Sequence, residues 1–212
     1  MSVEVELRYR LNCAADVPEI MSDPSVKPLI QNGTEKVCIL TALYYDTPDN
    51  WLHSHGIVYR VRYEDGKWIG TIKSNSQDAG ALHEKNEYSI IATGPGPDLV
   101  IFAGSDIWPS IQPIANIDTK LQLIFKTSFT RQKAVLLLPY DSGTVVELAV
   151  DSGSIASGEK EEYFDFLELE LLEGQKANMI KYGHELASKL NLAPEERSKY
   201  SMGANLYRSR NS

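Results

Sequence analysis

Two cysteines, Cys13 and Cys38, are all that 212 residues contain, and they form no Cys-x-x-Cys clip. A disulfide framework and a thiolate metal site are thereby excluded as organising devices; two buried, reduced thiols are expected. Histidine is also scarce, at four residues. Only His53 and His55 stand at a spacing that suits a metal, and they fall in what reads as a surface turn. No run of 18 or more apolar residues exists, so no spanning helix is expected. Met1-Ser-Val-Glu-Val-Glu6 lacks the basic and apolar regions of a secretory leader, which makes the cytoplasm the expected location. There is no internal repeat, no Gly-x-x-x-x-Gly-Lys phosphate loop and no Gly-x-Ser-x-Gly elbow, so neither P-loop nor serine-hydrolase chemistry has support.

What is present is ordinary globular composition, 42% hydrophobic and 24% charged. Lys plus Arg is 21 against 29 for Asp plus Glu, a net charge of −8. Such a chain repels polyanions at long range, so nucleic acid and anionic membranes are not expected partners. An anionic ligand would need the basic residues gathered in one place. Residues 1–212 read as a single domain, with a waist at the Gly/Pro-rich stretch Thr93–Asp98.

Strand-like segments dominate: Val3–Asn12, Lys36–Tyr45, Ile57–Glu64, Lys67–Lys73, His83–Ala92, Lys126–Leu138, Thr144–Asp151 and Tyr163–Leu172. Each is rich in Val, Ile, Tyr, Leu or Thr and bounded by turn residues. Asp65-Gly66 marks a tight hairpin. Helices are expected over Asp16–Ile30, interrupted by Pro24 and Pro28, over Asp118–Phe125, over Gln175–Leu190, and from about Pro194. The Arg208 and Arg210 end reads as a frayed tail. Together these predict an α+β protein built on an eight-stranded antiparallel β-barrel with flanking helices.

The alternation within the strands carries the chemistry. Glu4, Glu6, Arg8 and Arg10 share one face of the first strand; Val3, Val5, Leu7 and Tyr9 share the other. Arg60 and Arg62, Lys85 and Glu87, Arg131 and Lys133, Glu147 and Asp151, and Glu168 and Glu170 repeat the pattern. A half-buried sheet with a solvated outer face accounts for any one strand. Taken together, the faces are nearly pure in ionisable groups, with carboxylates and cations sorted by strand. The alternative is a lumen filled with charge. Unpaired buried ions cost several kcal/mol each, so such a lumen calls for a polyanion and a divalent cation. Arginine forks match phosphate oxygens, and clustered carboxylates suit Mg²⁺ or Mn²⁺.

These pieces resemble the CYTH superfamily, the triphosphate tunnel metalloenzymes. Glu4-x-Glu6-x-Arg8 looks like its Glu-x-Glu-x-Lys signature. In order there follow Tyr44-Tyr-Asp-Thr-Pro-Asp49, Arg60-x-Arg62, Lys73, His83-Glu-Lys-Asn-Glu87, Phe129-Thr-Arg131, Val146–Asp151, Glu168-x-Glu170 and Ser198-Lys199. The stretch from Tyr45 to Leu52 and Ile107-Trp-Pro109 look closest to bacterial inorganic triphosphatases. The resemblance implies an eight-stranded tunnel that hydrolyses inorganic triphosphate to pyrophosphate and phosphate with Mg²⁺. Arg8, Arg60, Arg62, Lys73, Lys85, Arg131 and Lys199 would bind the phosphates. Glu4, Glu6, Glu168 and Glu170, with Glu147 and Asp151, would hold metal. Glu4, Glu6, Lys85 and Glu87 are the implied catalytic group. Two positions depart from the pattern: Arg8 stands for the signature lysine, and Lys85 stands where relatives tend to carry Arg. A small-molecule triphosphate is the expected partner. Thiamine, nucleoside or RNA triphosphates, a cyclase reaction, or polyphosphate binding without turnover remain open; the His-Phe pair that precedes the signature in cyclases of the family is absent. His83 reads as a hydrogen-bonded histidine at the rim, and Trp51, Trp68 and Trp108 as packing residues.

Overall fold

The computed structural model describes residues 2–11, 17–115, 121–140 and 143–210. Eight long strands carry the chain: β1 (Ser2–Arg10), β2 (Lys36–Asp46), β3 (Val58–Glu64), β4 (Lys67–Ala79), β5 (Leu82–Ala92), β6 (Gln122–Leu137), β7 (Val145–Ser157) and β8 (Lys160–Glu173). Every pairing is antiparallel. The order is β5-β4-β3-β2-β6-β7-β8-β1, and β5 pairs with β1, which closes the ring. Closure leaves no free edge among these eight strands. Asp65 and Gly66 connect β3 and β4 with φ of 49° and 78°. Two left-handed residues make the turn whose twist matches the strands.

The outer face is apolar and covered in two places. Helix α4 (Lys176–Lys189) lies on Leu7, Tyr9, Leu148, Leu167 and Leu169, burying Met179, Tyr182, Leu186 and Ala187. Helices α2 (Trp51–Ser54) and α3 (Trp108–Ala115) cover Tyr59, Val61, Ile72 and Tyr88. Short α1 (Val17–Ser22) adds Ile20 to the α4 side. A third apolar cluster lies inside the ring. Leu40, Ala42, Tyr44, Phe125, Phe129, Phe164 and Phe166 project inward at one end, where Met202 of α5 (Lys199–Arg210) packs among them. The inner face is therefore not uniformly ionisable: one end is an aromatic plug and the remainder is charged.

Several expectations are corrected. Asp118–Phe125 is not a helix across its described part, because Gln122–Phe125 begins β6. Phe125 is 1% exposed and stacks on Tyr44; a long-range aromatic contact decides its conformation against a weak local cap signal. No helix starts at Pro194: Ala193–Pro194 is a two-residue strand on β1, and α5 begins at Lys199. Pro194 lacks an N–H and tolerates this edge position. The C-terminal segment is helical through Arg210 rather than frayed. His53 and His55 are exposed as expected, but in the last turn and C-cap of α2 rather than in a turn, with Leu52 beside them fully buried. Arg10, expected to point inward with Arg8, is exposed at the strand's end. Thr93–Asp98 is a loop whose Pro95 and Asp98 carbonyls accept from Tyr45 and Tyr59, so it is tied to the barrel wall. Cys38 is half-buried rather than buried; Cys13 lies outside the described residues.

Candidate active site

Period-two alternation turns the inward residues of all eight strands onto one space. It is a cavity of about 550 Å³ within the ring. Glu4, Glu6, Arg8, Arg60, Arg62, Lys73, Lys85, Glu87, Arg131, Glu147, Glu168, Glu170 and Lys199 all line it. Asp151 is fully buried in the wall behind Arg131 and Lys199. The residues expected to converge thus do so. Only the sheet closure shows this, since each face alone is equally compatible with solvent.

Strand order sorts the charge. Glu147, Glu170 and Glu6 are directly paired across β7, β8 and β1. Like charges side by side on neighbouring strands repel. In a ring of this order β3 lies opposite β8, so Arg60 and Arg62 face this acidic row. Glu170 takes part in no ion pair described for this wall, and burial, together with the carboxylates of Glu4, Glu6 and Glu147, pushes its pKa up to about 7 against the pull of Lys73. Opposite it, the Nε atoms of Arg60 and Arg62 are buried without a hydrogen-bond partner among the described residues. Burial and the neighbouring guanidinium groups of Arg60 and Arg131 lower the pKa of Arg62, despite Glu64 beside it. Each wall therefore holds a group short of a partner: Glu170 on the acidic side, and the Nε atoms of Arg60 and Arg62 on the basic side.

Between the walls the charges pair. Lys73 reaches Glu4 at 2.6 Å and Glu87 at 2.8 Å. Lys85 reaches Glu6 at 3.0 Å and Glu4 at 3.6 Å. Burial opposes the charge on Lys85, but Glu6 and Glu4 outweigh it and raise its pKa. The Glu6 carboxyl is likewise held low by Lys85 and Arg8 despite its burial. Lys73 and Arg60 do the same for Glu87. At the aromatic end Glu168 is the hub. It accepts from Arg8 Nε at 3.0 Å, Arg131 Nη2 at 2.7 Å and Lys199 Nζ at 2.7 Å. Those three cations hold it well below the usual carboxylate range despite burial. Asp151 takes a two-pronged bond from Arg131 at 2.7 and 2.6 Å, and Lys199 at 2.7 Å. Lys133 turns to Glu147 at 3.0 Å.

Some of these roles escaped sequence reasoning. Asp46 and Thr47 of the Tyr-Tyr-Asp-Thr-Pro-Asp motif do not reach the cavity. Asp46 accepts from the Leu52 and His53 N–H groups at 2.9 and 3.0 Å, and Thr47 Oγ1 accepts from the Trp51 N–H at 2.8 Å. They cap α2. His83 is 2% exposed, buried beside Arg8 rather than at the rim. His53 bonds Tyr200 and Arg208 at the cavity's edge. His184 is exposed on α4, and Trp51, Trp68 and Trp108 pack against the β2–β5 core.

A divalent cation fits the carboxylates of the cavity: hard oxygen donors, with a row of three of which Glu170 has no ion pair described. Among the described residues no three carboxylates stand close enough together to hold an ion as they are. The oxygens of Glu4, Glu6 and Glu147 are turned toward lysine and arginine instead.

Comparison with known proteins agrees with this fold. The CYTH domain family model matches residues 2–201. An inorganic triphosphatase of Haemophilus influenzae is 28% identical over 141 residues, which is 66% of this chain and 38% of that protein. The match thus spans well under half the length of that relative. Among solved structures, a Hippeastrum protein, an adenylyl cyclase candidate that reveals a dominant triphosphatase activity, superposes with a TM-score of 0.62 at 18% identity, covering 98% of this chain and 96% of its own. A conserved hypothetical protein of Pyrococcus furiosus gives 0.54 at 14% identity, covering 92% and 96%. At such identities the structural likeness speaks for the fold.

Proposed function

The chain belongs to the CYTH domain family, and from that premise we propose that it hydrolyses inorganic triphosphate to pyrophosphate and phosphate with Mg²⁺. One observation carries this reading: a closed ring in which a row of three paired carboxylates faces arginines whose Nε atoms lack partners. A linear polyanion with a divalent cation supplies what each wall is missing. The relative from Haemophilus influenzae supports inorganic triphosphate as the substrate.

Arg60, Arg62, Arg131, Lys73, Lys85, Arg8 and Lys199 would bind the phosphate oxygens, the arginines as forks and the lysines as point charges. Glu4, Glu6 and Glu170 would hold the metal, with Glu147 beside them; Mn²⁺ fits the same oxygen donors. When bound, the metal neutralises charge that builds on the phosphoryl oxygens. Glu168 and Asp151 hold Arg8, Arg131 and Lys199 in place and would add oxygen donors for the metal. Lys85 and Glu87 stand on neighbouring inward positions of β5, where a water approaching the terminal phosphate would be oriented. The reading takes residues 1–212 as one domain, acting on a small soluble triphosphate in the cytoplasm.

Incubation with Mg²⁺ and tripolyphosphate, ATP, thiamine triphosphate or pyrophosphate tests it. Phosphate release fastest from tripolyphosphate is the expected result. Faster release from an organic triphosphate, or formation of a cyclic nucleotide, replaces the substrate. Tight tripolyphosphate binding without release makes the chain a binding module.

A further inference from the structure

His83 belongs to no part of the phosphate or metal constellation, yet it is among the most buried polar side chains of the wall at 2% exposure. Its Nδ1–H donates to Asp78 Oδ1 at 2.7 Å. That bond fixes the ring plane and leaves Nε2 pointing between two groups: the Glu195 carbonyl at 3.1 Å and Arg8 Nη1 at 3.4 Å. Arg8 is held on every side. Nε meets Glu168 at 3.0 Å, Nη2 meets Glu6, and Nη1 donates to the Arg197 carbonyl at 3.1 Å. The backbone adds a bond from the Glu195 N–H to the Arg8 carbonyl at 3.0 Å.

Glu195–Arg197 is the strap that runs from β1's edge into α5. Two residues past its end, Lys199 enters the cavity and meets Asp151 and Glu168. Its described hydrogen bonds to β1 and β5 run through Arg8 and His83. Where the Arg8 guanidinium lies and where Lys199 enters are therefore settled by one shared arrangement. We infer that His83, oriented by Asp78, is a positioning residue that sets the Arg8 guanidinium and the Glu195–Arg197 strap, and through them the placement of Lys199. A lysine at position 8 has no second nitrogen with which to reach both Glu6 and the Arg197 carbonyl, so the imidazole matters because position 8 is arginine.

The inference rests on the triphosphatase reading for its kinetic test, so a readout free of turnover accompanies it. The variants are His83→Ala, His83→Gln, Asp78→Asn, Arg8→Lys and the double variant Arg8→Lys with His83→Ala. With Mg²⁺-tripolyphosphate, His83→Ala is expected to lower kcat/KM about ten-fold, the scale of a lost hydrogen bond to a charged group. His83→Gln, whose side-chain amide keeps a polar group near the Nε2 position, recovers part of the loss, and Asp78→Asn weakens the same function. In the Arg8→Lys background His83→Ala changes kcat/KM by less than about two-fold, because the group it acts through is gone. Multiplying losses in the double variant, or full activity of His83→Ala, overturns the inference. In parallel, the Arg8 Nε–H resonance is followed by NMR in the ligand-free protein. It shifts in His83→Ala and returns toward its wild-type position in His83→Gln. Should the wild type release no phosphate, the triphosphatase reading fails by itself and the NMR comparison decides: an Arg8 signal indifferent to His83 refutes the positioning role.

Discussion

Two glutamates on the same strand face, one step of the alternation apart, sit in opposite electrostatic surroundings. Glu168 is ringed by Arg8, Arg131 and Lys199, whereas Glu170 stands beside carboxylates. Neutralising each therefore has a different consequence. Glu168→Gln leaves three buried cations short of a partner and should destabilise the fold by about 3 kcal/mol, the scale of a broken buried pair. Glu170→Gln relieves like-charge repulsion. It should leave the metal-free melting temperature unchanged or higher, while lowering Mg²⁺-dependent turnover by orders of magnitude. Thermal unfolding and phosphate release on both variants check this; equal stability losses would contradict the charge map. Glu195 offers a test by pH. Burial alone would raise its pKa, but bonds from the Arg197 side chain and backbone N–H outweigh that and lower it from 4.5. A carboxylate depressed in the folded state contributes stability above its unfolded pKa and loses it as pH falls through the folded value. Glu195→Gln should therefore be less stable than wild type at neutral pH. The gap should close below about pH 4, as read from melting temperatures across an acid series.

At the scale of elements, α5 is the piece that joins the apolar plug to the charged cavity. It approaches so closely that a Cβ on Gly203 would lie 2.3 Å from the Phe125 ring. Phe125 stacks on Tyr44 at 4.3 Å and cannot yield without disturbing that pair. Gly203→Ala should lower stability by about 1–3 kcal/mol, the usual range for overpacking. It should also impair turnover, since lifting α5 draws Lys199 from Asp151 and Glu168. A variant with wild-type melting temperature and rate would show that the helix is not seated there. The helix at α2 depends on Asp46 and Thr47 in a different way, through caps at its first turn. Asp46→Ala should cost about 1 kcal/mol, seen as a lower melting temperature with KM for tripolyphosphate little changed. These two motifs show what strand patterning alone conveyed. The alternation of β1, β3, β7 and β8 was readable because the face opposite their ionisable residues is apolar there, as in Val5, Leu7 and Tyr9 of β1 and Leu167, Leu169 and Leu171 of β8; in β5 Glu84 and Asn86 interrupt that face. The start of α5 was not, because Pro194 suits both a first helical turn and a strand edge, and only pairing with Tyr9 chose between them.

For the molecule as a whole, the acidic surplus of −8 and the basic arc inside the cavity are reconciled by enclosure. Charge that would be screened at the surface is kept effective within the ring. Mg²⁺ with a non-hydrolysable triphosphate analogue should raise the melting temperature, since ligands that bind only the folded state stabilise it by mass action. The increase should vanish with a chelator and in Glu170→Gln; an increase that survives both would remove Glu170 from the metal site. The residue types and their alternation were determined locally. A period of two distributes side chains between faces whatever the sheet does next, so the sequence by itself settled which groups travel together and what ligand chemistry they suit. It did not settle that the polar face is the inner one. That was decided by β5 hydrogen bonding to β1, a contact between distant strands that closes the sheet and takes the carboxylates and arginines out of solvent. Closure also brought β3 opposite β8, and the α5 strap against Arg8 and His83. Neighbours of this kind are set by how the strands go round the ring, and distance along the chain carries no trace of them.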